Sequence, residues 1–275
     1  MPPKVYVTNY PAGDFRAMPA IGGGHALLKW VTSFPGNPAR GLPTVTGLVL
    51  LSDAEDGRLL AVLDAGAVTA LRTAAAAVLA ADTLGRQDVS SYAVVGCGVN
   101  GAETARMFVA RGVSPLVWDV DEGLRRDVAE RLGVDVAPSA AEALACDVVV
   151  TVTPGSSILY PPGSLRPGQH VSLMGADGPG KAEVAIEELA RARLFCDDWE
   201  QASHGGELAA AVEAGAVTRA DVTELGAVLA GTAHGRRSDD EITLFDSTGL
   251  AIQDLAIAKA ALAKADELDL PTLEI

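Results

Sequence analysis

Short apolar runs alternate with polar and glycine-rich segments along the whole chain. Residues 27–34, 44–51 and 59–64 are apolar stretches bounded mainly by glycine and proline, which predicts the strands of a meandering sheet. Asp64 is a good N-cap, and the residues that follow it up to 84 are apolar on nearly all faces, which predicts a helix buried on every side. The first region therefore combines a sheet with one buried helix.

After the linker GRQDVS the pattern becomes strand, glycine turn and helix in regular alternation. The apolar strands YAVVG, PLVWD, DVVVTV and HVSLMG are separated by helical stretches at residues 101–111, 122–132 and 139–145. This alternation is typical of a doubly wound parallel sheet. Residues 241–265 predict one further strand and a capped amphipathic helix, and we expect this short stretch to pack against the first region.

A glycine-rich turn joins the first of these later strands to the helix that follows it. Gly96, Gly98 and Gly101 form a GxGxxG pattern, with Val99 and Asn100 between the last two glycines. The first glycine permits a tight turn, the second a close approach of the backbone to a pyrophosphate, and the third close packing of helix on strand. The amides at the N-terminus of the helix favour an anion. The segment predicts a dinucleotide-binding site.

The kind of dinucleotide is predicted by Asp119, which ends the next strand at the distance that this pattern requires. A carboxylate at that point accepts hydrogen bonds from an adenosine ribose and repels a 2′-phosphate. No arginine follows Asp119 directly, which favours NAD over NADP, while Arg125 and Arg126 leave NADP open.

The chain has a formal net charge of −15, which argues against nucleic acid and anionic lipid as partners. No uninterrupted apolar run reaches the ~18 residues of a membrane helix. The three cysteines are scattered, and the four histidines lack metal-binding spacing. We therefore expect a cytoplasmic protein that has no metal site and binds neither nucleic acid nor membranes.

Against this acidic background, three charged residues stand in informative positions. Arg72 lies within the apolar helix, where it must face an anion, either a protein carboxylate or that of a ligand. Lys29 lies in an apolar strand, and the pattern fits a site lysine and a structural one equally well. Asp177 follows the strand HVSLM, where parallel sheets bind ligands; its carboxylate could hold an ammonium group or form an Asx turn.

Motifs of one family occur in order along almost the whole chain: PPKVY, RAMPA, LKWV, GLPTV, ALRTAAA, GCGVNG, GADGPGK, HGGE and DSTGLAIQD. By these motifs the chain resembles the ornithine cyclodeaminase and mu-crystallin family, and most closely its archaeal alanine dehydrogenases. The resemblance implies an α/β fold in which a Rossmann doubly wound parallel sheet, residues 85–245, is inserted into a smaller α+β domain. That smaller domain, residues 1–84 and 246–275, would bind substrate and form a homodimer.

The resemblance also implies roles for individual residues. Lys29 and Arg72 bind the substrate carboxylate, and Asp177 lies by the amino or imino group. Cyclodeaminases of the family have a catalytic glutamate two residues before the MP dipeptide, where this chain has Arg16. Lys4 and Arg16 would be ordinary surface bases by pattern alone, and the resemblance gives them catalytic roles. The activity so implied is NAD-dependent interconversion of L-alanine with pyruvate and ammonium.

Two alternatives stay open at this point. A ketimine reductase or ornithine cyclodeaminase-like enzyme would apply the same imine chemistry to a cyclic substrate. A non-catalytic NAD(P)H-binding protein of the mu-crystallin type would need neither the four cations nor Asp177. Family members also have a segment of a few tens of residues before the PPK motif, at which the present sequence starts, and we expect this difference to affect stability and activity.

Overall fold

The computed structural model describes residues 2, 4–9, 12–176, 178 and 180–272, without the side chain of Asn9. The chain divides into two compact units, one formed by Met1–Arg72 with Leu250–Ile275 and the other by Thr73–Gly249. The second unit is thus inserted in the first, although the sequence pattern placed the boundaries at 84/85 and 245/246. The first boundary falls earlier because the later part of the long helix, from Ala76 to Leu84, packs in the core of the second unit.

The first unit is built on an antiparallel sheet in the order β1-β2-β3-β4-β5. Its strands are β1 (Val5–Asn9), β2 (Gly13–Gly22), β3 (His25–Ser33), β4 (Val45–Asp53) and β5 (Leu59–Asp64). The last three match the predicted apolar runs. The pattern did not predict β1 and β2, because β2 contains Arg16 and Pro19. Pro19 is tolerated since β2 pairs with β1 only as far as Ala17.

Two helices contribute to this unit. The helix α1 (Ala65–Leu84) starts where predicted, and the Asp64 carboxylate accepts a hydrogen bond from the Ala67 amide at 2.6 Å. The C-terminal helix α9 (Ala251–Leu262) packs on β2 and β3. The core joins one face of the sheet to these two helices through Met18, Leu27, Val31, Val49, Leu51, Ala65, Val68, Ala251, Leu255 and Ala258.

By length and composition alone, α1 is long and apolar enough to cross a membrane. The expectation from the sequence, that no apolar run reaches this length, is thereby corrected. Most of its apolar window is nevertheless buried inside the protein. This is the pattern of a core helix, so the helix is weak evidence for a membrane span.

The second unit contains a parallel sheet in the order β11-β10-β12-β9-β8-β6-β7. Its strands are β6 (Tyr92–Val95), β7 (Leu116–Trp118), β8 (Val148–Thr151), β9 (His170–Leu173), β10 (Arg193–Cys196), β11 (Val222–Glu224) and β12 (Thr243–Asp246). The predicted α/β class is confirmed. One expectation was wrong: β12 belongs to this sheet, so only the helical part of the C-terminal stretch packs on the first unit.

The helices of the second unit connect its strands. They are α2 (Val99–Ala110), α3 (Glu122–Leu132), α4 (Ala140–Leu144), α5 (Ile186–Leu189), α6 (Trp199–Gly205), α7 (Ala209–Glu213) and α8 (Leu225–Leu229). The strand β6 is buried between neighbours on both sides and leads directly into the glycine turn. The carboxyl ends of β6 and β7 therefore present the turn and Asp119 at one edge of the sheet.

Candidate functional site

The turn between β6 and α2 has the geometry that its glycines predict. Gly96 adopts φ +102°, and a Cβ there would lie 2.6 Å from the Val152 carbonyl oxygen. A Cβ on Gly101 would lie 1.7 Å from the Gly96 carbonyl oxygen, so no side chain fits between helix and turn. A Cβ on Gly98 would meet nothing within 4 Å. Gly98 thus leaves open space at the N-terminus of α2, where a pyrophosphate would approach the amides.

Asp119 is fixed beside this turn by the backbone. Its two carboxylate oxygens accept hydrogen bonds from the amides of Cys97 at 2.6 Å and Asp121 at 2.8 Å. The Gly96 amide donates to the Trp118 carbonyl at 2.7 Å, so the end of β7 is tied to the turn twice. Carboxylate oxygens have further lone pairs, and these suit ribose hydroxyls. The turn and Asp119 together fit a dinucleotide.

The two arginines that left NADP open have partners in the structure. The Arg125 guanidinium stacks 4.3 Å from the centre of the Trp118 ring and donates to the Asp119 carbonyl at 2.8 Å. Arg126 forms an exposed ion pair with Glu122 at 2.7 Å. Of these two arginines, Arg125 is the one that contacts Asp119, through its carbonyl, so it is the residue to test for a role in cofactor choice.

A buried cluster of charge lies in the first unit, where β3, α1 and α9 meet. Lys29 Nζ is 2.7 Å from Asp254 Oδ1, and Arg72 Nε is 3.7 Å from the same oxygen. Lys29 Nζ also donates to Thr69 Oγ1 at 3.3 Å. The Arg72 side chain is 13 % exposed, whereas Lys29 is 1 % and Asp254 is 0 % exposed. Arg72 is thus the member of the cluster that a ligand reaches most directly.

Burial controls the protonation of Lys29. The pKa of Lys29 is lowered to about 7, first by desolvation and then by the positive charge of Arg72, while Asp254 acts in the opposite direction by charge and by hydrogen bond. Lys4 also contributes a positive charge that lowers the Lys29 pKa. The cluster therefore changes its net charge near neutral pH.

Arg16 lies on β2, on the same face of the sheet as Lys29, since it pairs with Val31 while Met18 pairs with Lys29. Its guanidinium contacts both carboxylate oxygens of Asp14, at 2.6 and 3.1 Å. It also lies 5.3 Å from the centre of the Tyr6 ring. Lys4 precedes β1 and, by strand alternation from Tyr6, belongs to this same face.

Asp177 lies outside the described residues, so its predicted role stays a prediction. The residues around its loop are held by Glu183, whose buried carboxylate accepts hydrogen bonds from Thr151 Oγ1 at 2.6 Å, from Thr153 Oγ1 and from the Gly175 amide. Burial raises the pKa of Glu183. The loops that follow β8 and β9 are thereby joined.

Two more buried carboxyl groups follow in the second unit. Glu207 accepts hydrogen bonds from the amides of Glu183 at 2.8 Å and Val184 at 2.7 Å, and burial raises its pKa to about 7. Asp246, at the end of β12, accepts from the Leu208 amide at 3.1 Å, and burial raises its pKa well above the ordinary value. These groups favour the protonated form in the folded chain.

The sequence did not identify Asp254, Glu183 or Glu207. A signal for Asp254 was present, because it shares the helical stripe of Ala251, Leu255 and Ala258, where only apolar residues are expected. His204, in the HGGE motif, is exposed and bonds to the Glu200 carbonyl at 2.8 Å. Among the described residues no group of histidine, cysteine and acidic side chains could hold a metal ion.

The fold and the turn define a dinucleotide-binding protein. Its second unit contains the glycine turn, and its first, antiparallel unit contains the cluster of Lys29, Arg72 and Asp254. The chain belongs to the ornithine cyclodeaminase/mu-crystallin family, whose family model matches residues 1–267. An alanine dehydrogenase of Archaeoglobus fulgidus is 45 % identical over 273 residues, covering 94 % of this chain and 82 % of that protein.

Two solved structures of the family are similar over nearly the whole chain. An archaeal alanine dehydrogenase dimer with bound NAD has a TM-score of 0.92 and 43 % identity, covering 100 % of this chain and 88 % of that one. The Thermococcus litoralis Δ1-pyrroline-2-carboxylate reductase, in complex with NADH and L-proline, has a TM-score of 0.91 and 27 % identity, covering 99 % and 89 %. The protein is accordingly an enzyme of this family of oxidoreductases and cyclodeaminases.

Proposed function

We propose that the protein is a cytoplasmic NAD-dependent alanine dehydrogenase, which converts L-alanine, NAD⁺ and water to pyruvate, ammonium, NADH and a proton, and catalyses the reverse reaction. The observation that carries the proposal is the pair of cations, Lys29 and Arg72, buried on one carboxylate in a chain of charge −15. Such a cationic cluster suits a small carboxylate substrate. The similarity to alanine dehydrogenases supports the choice of substrate.

Arg72 binds the substrate carboxylate, because its planar guanidinium forms two parallel hydrogen bonds to such a group and its side chain is the accessible one of the pair. Lys29 supplies a second positive charge behind it. Lys4 and Arg16, on the same face of the sheet, polarise the carbonyl or imine. Asp177 holds ammonia or the iminium group, by the role that its motif implies.

The turn from Gly96 through Gly98, Val99 and Asn100 to Gly101 binds the pyrophosphate of NAD, and Asp119 binds its ribose. NAD, when bound, accepts the hydride of the substrate α-carbon during alanine oxidation. The protein's own contribution is to orient the carboxylate and to stabilise the charge that develops on the carbonyl or imine.

Arg16 argues against cyclodeamination. Cyclodeaminases have a glutamate at this position, and that carboxylate would be the base for attack by a side-chain amine. Here the position is held by a guanidinium paired with Asp14. We therefore expect no proline from ornithine.

The test is an assay of NADH oxidation with ammonium and a panel of 2-oxo acids, made on this chain and on one extended upstream. Pyruvate should give the highest kcat/KM, and alanine should reduce NAD at alkaline pH. Proline formed from ornithine at a rate comparable with alanine oxidation would contradict the proposal. A protein that binds NADH but turns over no member of the panel would be the non-catalytic, mu-crystallin type instead.

A reductase of cyclic imines is the second candidate. It is favoured by the similarity to the Δ1-pyrroline-2-carboxylate reductase, because that substrate also has a carboxylate for Lys29 and Arg72. Selectivity between the two depends on pocket shape. The discriminating measurement is NADH oxidation with Δ1-pyrroline-2-carboxylate in the absence of ammonium, which should be slower than with pyruvate and ammonium.

We also propose that the protein is a homodimer formed through the outer face of the antiparallel sheet. Large apolar side chains are exposed across neighbouring strands of this face: Leu28, Trp30, Leu48, Leu50 and Val62. A contiguous apolar patch of this kind marks an interface. Light scattering after size exclusion should give the dimer mass for the unmodified chain and the monomer mass for Leu48→Glu.

A further inference from the structure

The Lys29, Arg72 and Asp254 cluster has more positive charge than a structural ion pair requires. One lysine would neutralise Asp254, yet two cations from different elements lie against a single carboxylate oxygen. Oδ2 of Asp254 has no hydrogen-bond partner in the described part of the chain, so the contacts of this buried group are concentrated on Oδ1. A buried trio with an unbalanced charge is costly for stability. Its arrangement therefore calls for a functional explanation.

The geometry gives Asp254 control over the position of both cations. Lys29 comes from β3, Arg72 from α1 and Asp254 from α9, and the distances of 2.7 and 3.7 Å converge on Asp254 Oδ1. Lysine and arginine side chains have many rotamers, and a fixed carboxylate between them selects one arrangement. Asp254 itself is fully buried in the packed face of α9, so it cannot follow the cations into other rotamers.

The charge of Asp254 also decides whether Lys29 keeps its proton. The charged groups that act on Lys29 are Arg72 on α1, Lys4 before β1 and Asp254 on α9. Burial and the two cations favour neutral Lys29, and Asp254 opposes them. With Lys29 protonated the trio has one net positive charge, and with Lys29 neutral it has none.

We propose that Asp254 is a positioning residue, which holds Lys29 and Arg72 side by side so that together they present one net positive charge to a single substrate carboxylate. The inference rests on the proposed function for the identity of that carboxylate. The effect of Asp254 on the protonation of Lys29 does not require a substrate. Binding of the carboxylate in turn favours protonated Lys29, so substrate affinity falls as the pH rises through the pKa of Lys29 in the free protein.

The first experiment measures the ionisation of Lys29 directly. The chain has five lysines, Lys4, Lys29, Lys181, Lys259 and Lys264, so the ¹³Cε signals of labelled lysine are few enough to resolve. Replacing the other four one at a time with arginine assigns the Lys29 signal. We expect its midpoint near pH 7, well below the 10.5 of an ordinary lysine, and an upward movement of about 1 pH unit or more with saturating pyruvate.

The variant Asp254→Asn removes the charge and keeps the shape. It should lower the Lys29 midpoint by about 1 unit or more in the absence of any substrate. Asp56→Asn is the matched control, because Asp56 lies in the same unit and its ion pair with Arg58 is exposed. It should leave the Lys29 midpoint and the kinetics unchanged.

The variant Asp254→Glu keeps the charge but moves the carboxylate by one methylene. The Lys29 midpoint should stay within about half a unit of the original, while kcat/KM for pyruvate falls by about 100-fold, mainly through KM, because a displacement of about 1 Å is enough for such a loss. A role in stability alone would change the melting temperature of this variant and leave KM as it was.

Three results would overturn the proposal. The first is a Lys29 midpoint near 10 in the unmodified protein, which requires no variant to fold. The second is an unchanged midpoint in folded Asp254→Asn, and the third is unchanged kcat/KM in folded Asp254→Glu. If pyruvate is not the substrate, the midpoint in Asp254→Asn still falls, so failure of the proposed function is distinguished from failure of this inference.

Discussion

The two units of the protein bury carboxyl groups in opposite ways. In the first unit Asp254 lies against two cations, and the contact distances of 2.7 and 3.7 Å are those of ion pairs. In the second unit Glu207 is held by backbone amides at 2.7 and 2.8 Å, and burial raises its pKa to about 7. The first arrangement places cations beside the buried carboxylate, whereas in the second burial raises the pKa of the carboxyl group, so that it takes up a proton more readily than an ordinary glutamate.

This difference separates binding from scaffolding. A cluster with two cations against one carboxylate can attract an anionic ligand, and its cationic members are held in place for it. The carboxyl groups of the second unit instead join loops: Glu183 accepts from the Thr151 hydroxyl and the Gly175 amide, and Glu207 accepts from the Glu183 amide. The glycine turn of the second unit then supplies a binding surface of backbone amides, with Asp119 held beside it.

The largest expected effect concerns the two glycines of that turn. Gly101→Ala places a Cβ 1.7 Å from the Gly96 carbonyl oxygen, so it should destabilise the fold by about 4 kcal/mol or more. Gly98→Ala meets nothing within 4 Å and should fold with an unchanged melting temperature. It should nevertheless weaken NAD binding by about tenfold or more, since the new methyl group occupies the approach to the amides.

Thermal melting without NAD and calorimetric titration with NAD measure the two effects separately. Equal melting temperatures for the two variants would show that the helix does not pack against the turn as described. Normal NAD affinity in Gly98→Ala would show that the pyrophosphate binds elsewhere.

The next effect tests whether Arg72 binds a ligand or serves the fold. Arg72→Met should lower kcat/KM by ~100-fold or more, because a charge-assisted pair with the substrate contributes on the order of 3 kcal/mol. Its stability should change little, because Lys29 remains within 2.7 Å of Asp254 and the carboxylate is not left unpaired. Steady-state kinetics and melting of the apo protein measure both quantities.

Lys29→Met is the matched comparison. It leaves Asp254 with Arg72 at 3.7 Å, so it should destabilise the protein by about 3 kcal/mol. A large loss of stability in Arg72→Met with near-normal kcat/KM would reverse the roles of the two cations and contradict the substrate-binding role of Arg72.

The contrast between the units also explains what the sequence could predict. The glycine turn is a local motif, and its strand, turn and helix follow one another within 19 residues of chain from Tyr92 to Ala110. Lys29 and Arg72 were found because a charge within an apolar run is a local anomaly. Asp254 pairs with a lysine 225 residues away, and no local pattern indicates that partner.

Some strands could not be predicted from the sequence either, because they are short or lack an apolar pattern. The strands β10 and β11 are short. Their place in the sheet depends on the pairing of β10 with β12, which is distant in sequence, and of β11 with β10. In β2, Arg16 and Pro19 interrupt the apolar pattern that strands are recognised by. These elements follow from tertiary contacts, which single-sequence periodicity does not contain.

The pH dependence of the free energy of unfolding tests whether the buried carboxyl group of Glu207 holds a proton. The folded pKa of Glu207, about 7, lies above the unfolded value of 4.5, so the folded chain binds more protons between these limits. Its contribution to stability is therefore greatest below about pH 4.5 and is lost as the pH rises through 7. Between pH 4.5 and 7 this loss of stability amounts to about 3 kcal/mol, and the variant Glu207→Gln, which does not titrate, should not show it.

The measurement is chemical unfolding of both proteins from pH 5 to 8. Glutamine can keep both short amide bonds through its Oε1, so the variant should gain on the unmodified chain as the pH rises. His170, whose pKa is lowered to about 3 by burial, acts in the opposite direction below pH 6.5 in both proteins and cancels in the comparison. Parallel pH curves would mean that Glu207 does not hold a proton.

The smallest expected effect concerns the choice of cofactor. Since Asp119 repels a 2′-phosphate, NAD should be preferred over NADP by at least about tenfold in kcat/KM, or ~1.4 kcal/mol. Asp119→Asn removes the charge but loses one of the two amide bonds to Cys97 and Asp121, so it should bring the two cofactors close to equal use with a modest fall in the rate with NAD. Asp127→Asn, on the exposed face of α3, is the control and should leave the preference unchanged. Arg125→Met tests whether Arg125 contributes to the choice of cofactor, because its guanidinium lies on Trp118, next to Asp119. If Arg125 accommodates a 2′-phosphate, its loss should lower the rate with NADP alone. If it only supports the end of β7, both cofactors should lose equally. Equal use of NAD and NADP by the unmodified protein would show that Asp119 does not face the ribose.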